Sequence, residues 1–344
     1  AASAILTDFD TGRSLWEKNA DDPRLIASTT KIMTALITLE RCDPDMSVVI
    51  DPAWTGIEGS SMYLTPGQEL TVRELLYGLM LASGNDAAVA LACVAAGTVE
   101  DFVALMNERA AELGCDSTHF ENPNGLDGEA HYASARDLAR ITREALRNEE
   151  FRRIVSTVTA TAGGQTYTNH NRLLRECEGV FGVKTGYTEA AGRTLVTCCE
   201  RGGQTLICVT LSDADDWADH AALYDWAYGE FARRDVLTDT SWTLPVVGGT
   251  ADEVTVTPEG ELSVFCRAGE TVTVRTELPA FVYAAVAAGD AAGEATAYLD
   301  GEPVGTVALV FGRDVSRTAA EPPTLWRRLT EIFGLRERKI YTLS

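Results

Sequence analysis

The spacing of apolar residues along the chain alternates between two periods, and these periods predict the order of strands and helices. Apolar and polar positions alternate over residues 3–17 around an Asp10-Thr11-Gly12 turn, which indicates a β-hairpin. Helical spacing and strand-like runs follow, predicting helices over 29–41, 72–82, 86–96, 99–113, 134–148 and 216–232, and strands over 179–187, 193–199 and 204–211. This order favours an α+β fold with a mostly antiparallel sheet flanked by helices over a parallel doubly wound sheet.

The sequence changes character near Ser241, where short alternating runs separated by Gly, Pro and Asp turns replace the helical spacing. These runs predict a small all-β domain. Beyond a Pro-rich linker, apolar residues again repeat at helical spacing: Leu325, Trp326, Leu329, Ile332 and Phe333. We therefore expect a mixed α+β domain over 1–240, an all-β domain over 241–318, and a linker with an amphipathic helix over 319–344.

The net charge of −22 is unevenly distributed. An acidic chain lacks the basic footprint that phosphates require, so nucleic acid is not an expected partner. Residues 323–344 carry five basic and two acidic residues, a balance of about +3. An apolar stripe flanked by arginines is typical of a helix in the interface of an anionic membrane. The alternative is a helix docked on the all-β domain.

The sequence leaves the cellular compartment open at this point. It has no apolar run of about 18 residues, and residues 3–9 begin directly as a predicted strand. Either the protein is cytosolic, or a signal peptide precedes this numbering. The eight cysteines include no C-x-x-C pair and no zinc-like spacing, so we expect neither a metal nor a cofactor and favour cysteines as small apolar residues.

Three short segments carry the candidate chemistry: Ser28-Thr29-Thr30-Lys31, Ser83-Gly84-Asn85 and Lys184-Thr185-Gly186. The chain has only four lysines and about 25 arginines, and two of the four lysines lie in these segments. Arginine stays charged, so lysine is the residue that can give up a proton. One helical turn separates Ser28 from Lys31, which places both side chains on one face.

Each segment also has an ordinary structural interpretation. Ser28, Ser83 and Asn85 are common helix caps, and Lys31 alone would be a solvated lysine. Gly186 is more informative, because glycine weakens a strand unless something must approach closely, such as a substrate backbone paired along it. The order and separation of all three segments favour an active site. Lys31 would then need a pKa lowered by burial and by the Lys184 charge.

The three segments match the S-x-x-K, S-D/G-N and K-T-G motifs of penicillin-binding proteins and serine β-lactamases. Their surroundings, with residues 122–126 and 131–132, resemble the low-molecular-mass penicillin-binding proteins of the D-alanyl-D-alanine carboxypeptidase family. The resemblance covers residues 1–235 well and implies a serine β-lactamase/transpeptidase-like fold with a helical subdomain. The later all-β domain and amphipathic tail also fit the layout of that family.

The resemblance implies a set of roles for the site residues. Ser28 would attack the D-Ala-D-Ala terminus of a peptidoglycan stem peptide, with Lys31 as base and the Ser28 and Tyr187 N–H groups as oxyanion hole. A proton relay to the leaving D-alanine would use Ser83 and Lys184. The substrate would be held by Asn85, Thr185, Gly186 and Tyr187, and β-lactams would acylate Ser28. The enzyme would be exported by a signal peptide and lie on the outer face of the cytoplasmic membrane.

One departure from the family pattern concerns the substrate carboxylate. Several members carry an arginine after the third of these strands, whereas residues 213–220 here contain none. Arg193 and His220 are the substitutes that the sequence offers. The remaining histidines, His119, His131 and His170, are expected to be structural.

Two other functions remain open from the sequence. A class A-like β-lactamase would need a deacylating glutamate, and Glu144-Ala-Leu-Arg-Asn148 has the letters of its Glu-x-x-x-Asn motif. These residues fall at the end of a predicted helix, so we expect Glu144 on a helix surface. The other alternative is a non-hydrolytic sensor of penicillin or muropeptides, in which Ser28 would stay acylated.

Overall fold

The computed structural model describes residues 1–318, which divide into two compact units. The first unit comprises Ala1–Arg233 and Phe265–Gly269, and the second comprises Arg234–Val264 and the described chain from Glu270 to Thr318. The predicted linker and amphipathic helix over 319–344 lie outside the described residues.

The first unit combines short strands with eight helices. Its strands are β1 (Ser3–Asp8), β2 (Ser14–Lys18), β3 (Ser47–Val49), β4 (Glu69–Thr71), β5 (Thr159–Ala162), β6 (Gln165–Thr168), β7 (Val180–Thr188), β8 (Gly192–Arg201) and β9 (Gln204–Leu211). Its helices are α1 (Lys31–Arg41), α2 (Val72–Leu81), α3 (Asn85–Ala96), α4 (Val99–Glu112), α5 (Ala135–Ala145), α6 (Glu149–Ser156), α7 (Leu173–Glu176) and α8 (Asp216–Glu230). Short 3-10 turns occupy Ala27–Thr30 and Pro52–Trp54.

The central sheet is antiparallel and has five strands in the order β2-β1-β9-β8-β7. Every residue of β1 and β9 is buried, because helices cover both faces of the sheet there. On one face α1 and α5 pack in the main core, and on the other Tyr224 and Ala227 of α8 pack against β8 and β9. The predicted α+β class and all five of these strands are confirmed, and β7 lies at an edge of the sheet.

Side-chain caps explain several helix boundaries. Thr71 and Glu74 form a reciprocal capping box at α2, and Thr98 and Ser134 cap α4 and α5. The single helix predicted over 134–148 is wrong in its last turn. The Asn148 side chain accepts hydrogen bonds from the Glu150 and Phe151 N–H groups, which starts the separate helix α6.

The second unit is all-β, as predicted. Its strands, with those at the boundary of the two units, are β10 (Phe231–Asp235), β11 (Trp242–Val247), β12 (Glu253–Pro258), β13 (Ser263–Arg267), β14 (Val272–Glu277), β15 (Val282–Tyr283), β16 (Ala291–Leu299) and β17 (Glu302–Phe311). Six of them form a sheet in the order β14-β16-β17-β12-β11-β15, and β10 pairs with β13. Val254, Val256, Leu309 and Phe311 form the centre of its core. The helix predicted to reach residue 232 ends at Glu230, and β10 begins at the next residue, Phe231.

Within residues 1–318, no single helix combines the length and apolar character needed to cross a membrane. Helices α3 and α4 meet that criterion only when taken together, as a pair bent by 83°. None of the eight cysteines forms a disulfide, and Cys115, Cys198, Cys199 and Cys208 are buried, as small apolar residues would be.

Candidate active site

Ser28 lies in the 3-10 turn that immediately precedes α1. Its neighbour Ala27 has a φ of +47°, an uncommon value for a residue other than glycine. No side-chain hydrogen bond caps α1, so Ser28 is not the helix cap of the ordinary structural interpretation. Its hydroxyl instead contacts Lys31, whose Nζ lies 2.9 Å from Ser28 Oγ. The turn therefore presents the hydroxyl to the lysine one turn later, as the spacing predicted.

Lys31 is fully buried and surrounded by oxygen atoms. Besides Ser28 Oγ, its Nζ contacts Asn85 Oδ1 at 2.7 Å and the Asn124 carbonyl oxygen at 2.5 Å. Burial lowers the Lys31 pKa well below its usual value, and the nearby Lys184 charge lowers it further against the opposing effect of Asp86. A neutral amine has two N–H groups and one lone pair. The two carbonyl oxygens can take the N–H groups, which leaves the lone pair facing the serine hydroxyl.

Asn85 joins the second segment to the first. While its Oδ1 accepts from Lys31, its Nδ2 donates to the Glu58 carbonyl at 2.5 Å. Ser83 is buried and has a φ of +58°, a strained value of the kind that concentrates at functional sites. No side chain caps α3, so Ser83 does not serve as its cap. Within residues 1–318 the Ser83 hydroxyl forms no hydrogen bond with another residue.

Asp86 is a site-supporting residue that the sequence did not single out. Its buried carboxylate accepts from the Met62 and Leu64 N–H groups at 3.0 Å each and from Ser61 Oγ at 2.6 Å. These bonds hold residues 61–64 against the start of α3. In the sequence, an Asp directly after Ser-Gly-Asn looks like an acidic residue that stabilises the first turn of a helix. That interpretation gives no sign of its contacts with residues 61–64.

The third segment lies on the edge strand β7. Lys184 is buried and donates to the Thr185 carbonyl at 2.9 Å, and burial lowers its pKa to about 7. Gly186 pairs with Thr194 of β8. A Cβ on Gly186 would lie 2.3 Å from Thr194 Oγ1 and 3.0 Å from the Ser28 nitrogen. A close approach to Gly186 is thus present, and the group that approaches is the backbone of Ser28. The pairing of a substrate backbone along this strand stays a prediction.

A second glycine also packs on the turn Ala27–Thr30, which we call the nucleophile turn because it carries the candidate nucleophile Ser28. This glycine belongs to a segment to which the sequence gave no role. Gly125 has a φ of +88°, and a Cβ there would lie 2.0 Å from the Ala27 carbonyl oxygen. The preceding Asn124 carbonyl accepts from Lys31, and Thr34 Oγ1 donates to the Pro123 carbonyl at 2.6 Å. The Asn-Pro-Asn-Gly run is the available signal, because it predicts a turn.

The buried histidines are structural. His131 Nδ1 accepts from the Glu121 N–H, which leaves Nε2 to donate to Thr30 Oγ1 at 2.8 Å, and burial lowers its pKa to about 4. His220 lies between Thr197 Oγ1 and Thr210 Oγ1 with no exposed surface, and burial lowers its pKa to about 3. It therefore cannot meet a substrate carboxylate. His170 is exposed, and its pKa is lowered by partial burial and by Lys184.

Arg193 remains as the cation beside the third segment. It pairs with Tyr187 across β7 and β8, while Thr185 pairs with Leu195, so these four side chains share one face of the sheet. Two nitrogens of Arg193 contact Asp216 Oδ1, at 2.7 and 3.0 Å. Its side chain is 40% exposed, whereas that of Asp216 is buried.

Trp217 supports Arg193 from the side. Its ring lies 5.2 Å from the guanidinium carbon of Arg193, and the guanidinium carbon of Arg172 lies at the same distance. The Arg193 guanidinium is thus fixed in orientation and still open to solvent.

Glu144 lies on α5 outside this site. Its carboxylate contacts Arg109 at 2.8 Å and Arg147 at 2.9 Å. The prediction that Glu144 belongs to a helix surface is confirmed.

Hydrogen bonds thus join Ser28, Lys31 and Asn85 directly, and Gly186 packs on the same turn. Lys184 acts on Lys31 through its charge, Ser83 lies two residues from Asn85, Thr185 is half-buried, and Tyr187 is 67% exposed. The arrangement places a serine hydroxyl against a buried lysine amine, a pair whose chemistry suits a nucleophile and its base in acyl transfer.

Comparison with known sequences supports the same chemistry. Residues 1–215 match the family described as D-alanyl-D-alanine carboxypeptidase, and residues 238–317 match the C-terminal domain of penicillin-binding protein 5. The chain is 34% identical over 285 residues to the D-alanyl-D-alanine carboxypeptidase DacF of Bacillus subtilis. That alignment covers 78% of this chain and 73% of its relative.

Solved structures agree with this match over both units. Penicillin-binding protein 5 from Haemophilus influenzae superposes with a TM-score of 0.74 and 28% identity, covering 92% of this chain and 98% of the other. A peptidoglycan synthesis regulatory factor, PBP3, from Streptococcus pneumoniae superposes with a TM-score of 0.82 and 25% identity, covering 92% and 99%.

Proposed function

Because this chain belongs to the D-alanyl-D-alanine carboxypeptidase family, we propose that it removes the terminal D-alanine from peptidoglycan stem peptides through an acyl-enzyme at Ser28. The family is one of serine hydrolases that act in the cell wall and bind β-lactams. The observation that carries the assignment of Ser28 is the Lys31 amine, buried between Ser28 Oγ and two carbonyl oxygens. No metal or cofactor takes part in the proposed reaction.

Acylation starts with proton transfer from Ser28 Oγ to the neutral Lys31 amine. The Oγ–C bond then forms at the carbonyl between the two D-alanines, and the C–N bond to the leaving D-alanine breaks. The N–H groups of Ser28 and Tyr187 stabilise the oxyanion, a role supported by the contact of Gly186 with the Ser28 nitrogen. β-Lactams acylate Ser28 by the same route.

The leaving amine takes its proton through Ser83 and Lys184. Lys184 supports this role because its lowered pKa, about 7, lets it hold or release a proton near neutral pH. By then the proton that Lys31 took from Ser28 has passed through this relay to the leaving amine, so Lys31 is neutral again. Water attacks the acyl carbon and loses a proton to Lys31, the Oγ–C bond breaks, and Lys31 passes that proton to Ser28.

The substrate is held along β7. An edge strand has backbone groups available for an extended peptide, so the stem peptide adds to the sheet beside Thr185 and Gly186. Asn85 holds the peptide amide, and Thr185 and Arg193 take the terminal carboxylate. Arg193 suits that role because it shares a face with Thr185 and its guanidinium stays open to solvent.

Peptidoglycan lies outside the cytoplasm, which is where related proteins of this family act. We propose that residues 1–240 form the catalytic domain and that 241–318 form the all-β domain. We further propose that a signal peptide exports the chain and that residues 323–344 hold it on the outer face of the cytoplasmic membrane.

Mass spectrometry after incubation with benzylpenicillin tests the site. We expect the intact protein to gain the mass of one benzylpenicillin and the adduct to map to Ser28. The Ser28→Ala variant should form no adduct, whereas Ser14→Ala, which changes a half-buried serine of β2, should label like the wild type. An adduct on any other residue contradicts the assignment.

Two assays separate this function from its alternatives. Free D-alanine should appear from an N-acylated D-Ala-D-Ala peptide with the wild type but not with Ser28→Ala, and its absence from both would indicate a sensor. A chromogenic cephalosporin should be opened slowly, at about one equivalent per protein, whereas rapid continuous turnover would indicate a β-lactamase.

A further inference from the structure

Tyr63 combines a strained backbone with a side chain that lies in solvent. Its φ is +63°, a value that a bulky residue rarely adopts. Its neighbours Met62 and Leu64 are buried, whereas Tyr63 is 72% exposed, the largest value among the large apolar side chains of residues 1–318. Strained residues of this kind persist only where the surrounding structure holds them, and they concentrate at ligand-binding sites. The chain on both sides of Tyr63 must therefore be fixed by other parts of the protein.

Asp86 fixes the residues that flank Tyr63. Its buried carboxylate accepts hydrogen bonds from Ser61 Oγ at 2.6 Å and from the Met62 and Leu64 N–H groups at 3.0 Å each. Ser61 Oγ in turn accepts from the Tyr63 N–H at 2.8 Å. Because the side chains before and after Tyr63 are buried, its ring is turned away from the core. The ring is thus presented to solvent from a backbone that is already rigid.

Residues 58–64, which we call the tyrosine loop, are also bonded to Asn85 of the active site. The Asn85 N–H donates to the Ser60 carbonyl at 2.7 Å, and Asn85 Nδ2 donates to the Glu58 carbonyl at 2.5 Å. Asn85 Oδ1 accepts from the Lys31 amine at 2.7 Å. The tyrosine loop is therefore joined, through one side chain, to the proposed base.

The proposed course of the substrate leads its upstream part to the tyrosine loop. The stem peptide is proposed to pair along β7 while Asn85 holds one of its amides, so it lies between this strand and Asn85. The residues that precede D-Ala-D-Ala continue beyond that amide, and the tyrosine loop is the surface bonded to Asn85 there. A tyrosine ring gives such a peptide a large apolar contact with a polar group at its tip.

We propose that Tyr63 is a specificity-determining residue whose ring binds the stem peptide on the N-terminal side of D-Ala-D-Ala. Because Asp86 fixes the tyrosine loop before the substrate arrives, little ordering is needed when the ring meets the peptide. The inference rests on the proposed function and adds recognition beyond the two terminal residues. It gives the enzyme a higher affinity for long stem peptides than for D-Ala-D-Ala alone.

Release of D-alanine from two substrates of different length tests this proposal. The short substrate is N-acetyl-D-Ala-D-Ala, and the long one is the pentapeptide L-Ala-γ-D-Glu-L-Lys-D-Ala-D-Ala. We expect Tyr63→Asn to raise KM for the pentapeptide roughly two- to tenfold with little change in kcat, because one aromatic contact is lost. The short substrate should be hydrolysed about equally by the variant and the wild type. Asparagine is chosen because it adopts positive φ more readily than most residues with a side chain.

Two further variants separate the effect of the ring from that of the loop. Tyr63→Phe keeps the ring and should retain most of the affinity for the pentapeptide. Tyr283→Asn changes a tyrosine of the second unit that is 68% exposed, and it should behave like the wild type with both substrates. Benzylpenicillin labelling of Ser28 verifies that each variant is folded.

Two results would overturn the role of Tyr63 while the wild type stays active. An equal loss on both substrates would mean that Tyr63 acts on Asn85 through the loop and does not contact the upstream peptide. An unchanged KM for the pentapeptide would mean that the ring makes no contact at all. A wild type that labels with benzylpenicillin but releases D-alanine from neither substrate would contradict the proposed function, and this inference with it.

Discussion

At the scale of single residues, the proposed chemistry depends on a lysine that is neutral inside the protein. Among residues 1–318 no carboxylate contacts the Lys31 amine, whose contacts are a hydroxyl and two carbonyl oxygens. Burial and the Lys184 charge both favour the neutral amine, and Asp86 opposes them. Burial has the largest effect on the Lys31 pKa, and the charges of Lys184 and Asp86 adjust it in opposite directions.

Replacing Lys31 with arginine should separate charge from basicity. Guanidinium does not lose its proton in proteins, so we expect Lys31→Arg to acylate roughly 10²–10⁴-fold more slowly. The second-order rate constant with benzylpenicillin measures this effect. Lys18→Arg, a change at an exposed lysine, is the control. A Lys31→Arg variant that acylates at the wild-type rate would exclude Lys31 as the base.

Arg193 is expected to act on binding through its charge. Loss of one hydrogen bond to a charged group costs about 1.5–3 kcal/mol, so Arg193→Gln should raise KM roughly 10–100-fold while changing kcat less. Arg193→Lys should recover part of the loss, and Arg172→Gln, at the other arginine beside Trp217, should behave like the wild type.

A substrate without the carboxylate provides the contrasting case for Arg193. A D-Ala-D-Ala peptide with an amidated terminus should be a poor substrate for the wild type and should not become worse with Arg193→Gln. An equal loss on both substrates would mean that Arg193 supports the fold, through Asp216, rather than the carboxylate.

At the scale of elements, the sequence predicts the regular parts of the fold and misses those that depend on distant partners. The five strands of the central sheet and α1 follow directly from apolar spacing. The strand pairs β3–β4 and β5–β6 are too short to give a clear period. Helix α6 was missed, because the helix predicted over 134–148 ends at Asn148, the residue whose side chain caps α6.

In the candidate site too, contacts between sequence neighbours were predictable and contacts between distant segments were not. Ser28 and Lys31 are one turn apart, so their contact was predictable from spacing alone. The contacts of Asp86 with residues 61–64, of Lys31 with Asn124, and of Gly125 with Ala27 join segments distant in sequence. Propensity and periodicity carry no information about such pairs.

Gly186 tests how closely β7 must approach the nucleophile turn. A methyl group there would overlap Thr194 Oγ1 and press on the Ser28 nitrogen, so Gly186→Ala should slow acylation of Ser28 at least tenfold and lower the melting temperature. Gly229→Ala, in α8 with open space around it, is the matched control and should be neutral or slightly stabilising. Normal acylation by Gly186→Ala would show that the approach is not required.

At the scale of the whole molecule, the two buried lysines link stability to pH. The folded-state pKa of Lys184 is about 7, below the usual 10.5, so the unfolded chain binds more protons between these values. Each such proton contributes about 1.4 kcal/mol per pH unit. The free energy of unfolding should therefore rise with pH through this window.

Removal of the ionisable group should remove part of that slope. We expect the free energy of unfolding of Lys184→Met, measured with urea, to exceed that of the wild type most at pH 7. The difference should shrink progressively toward pH 9. Comparing the two proteins cancels the opposing effect of the buried thiols, whose raised pKa values are common to both. A constant difference across this range would show that Lys184 is charged in the folded protein.

The packing around the nucleophile turn makes the reactivity of Ser28 depend on the folded state. Ala27 and Ser28 meet Gly125 from one direction and Gly186 from another, and Lys31 receives its orienting oxygens from Asn85 and Asn124. None of these partners is near Ser28 in an unfolded chain, where the hydroxyl is an ordinary unreactive alcohol. A fluorescent penicillin should therefore label native molecules and leave unfolded ones dark. Because each folded molecule takes up one label, the fluorescence of the protein band on a gel measures the refolding yield.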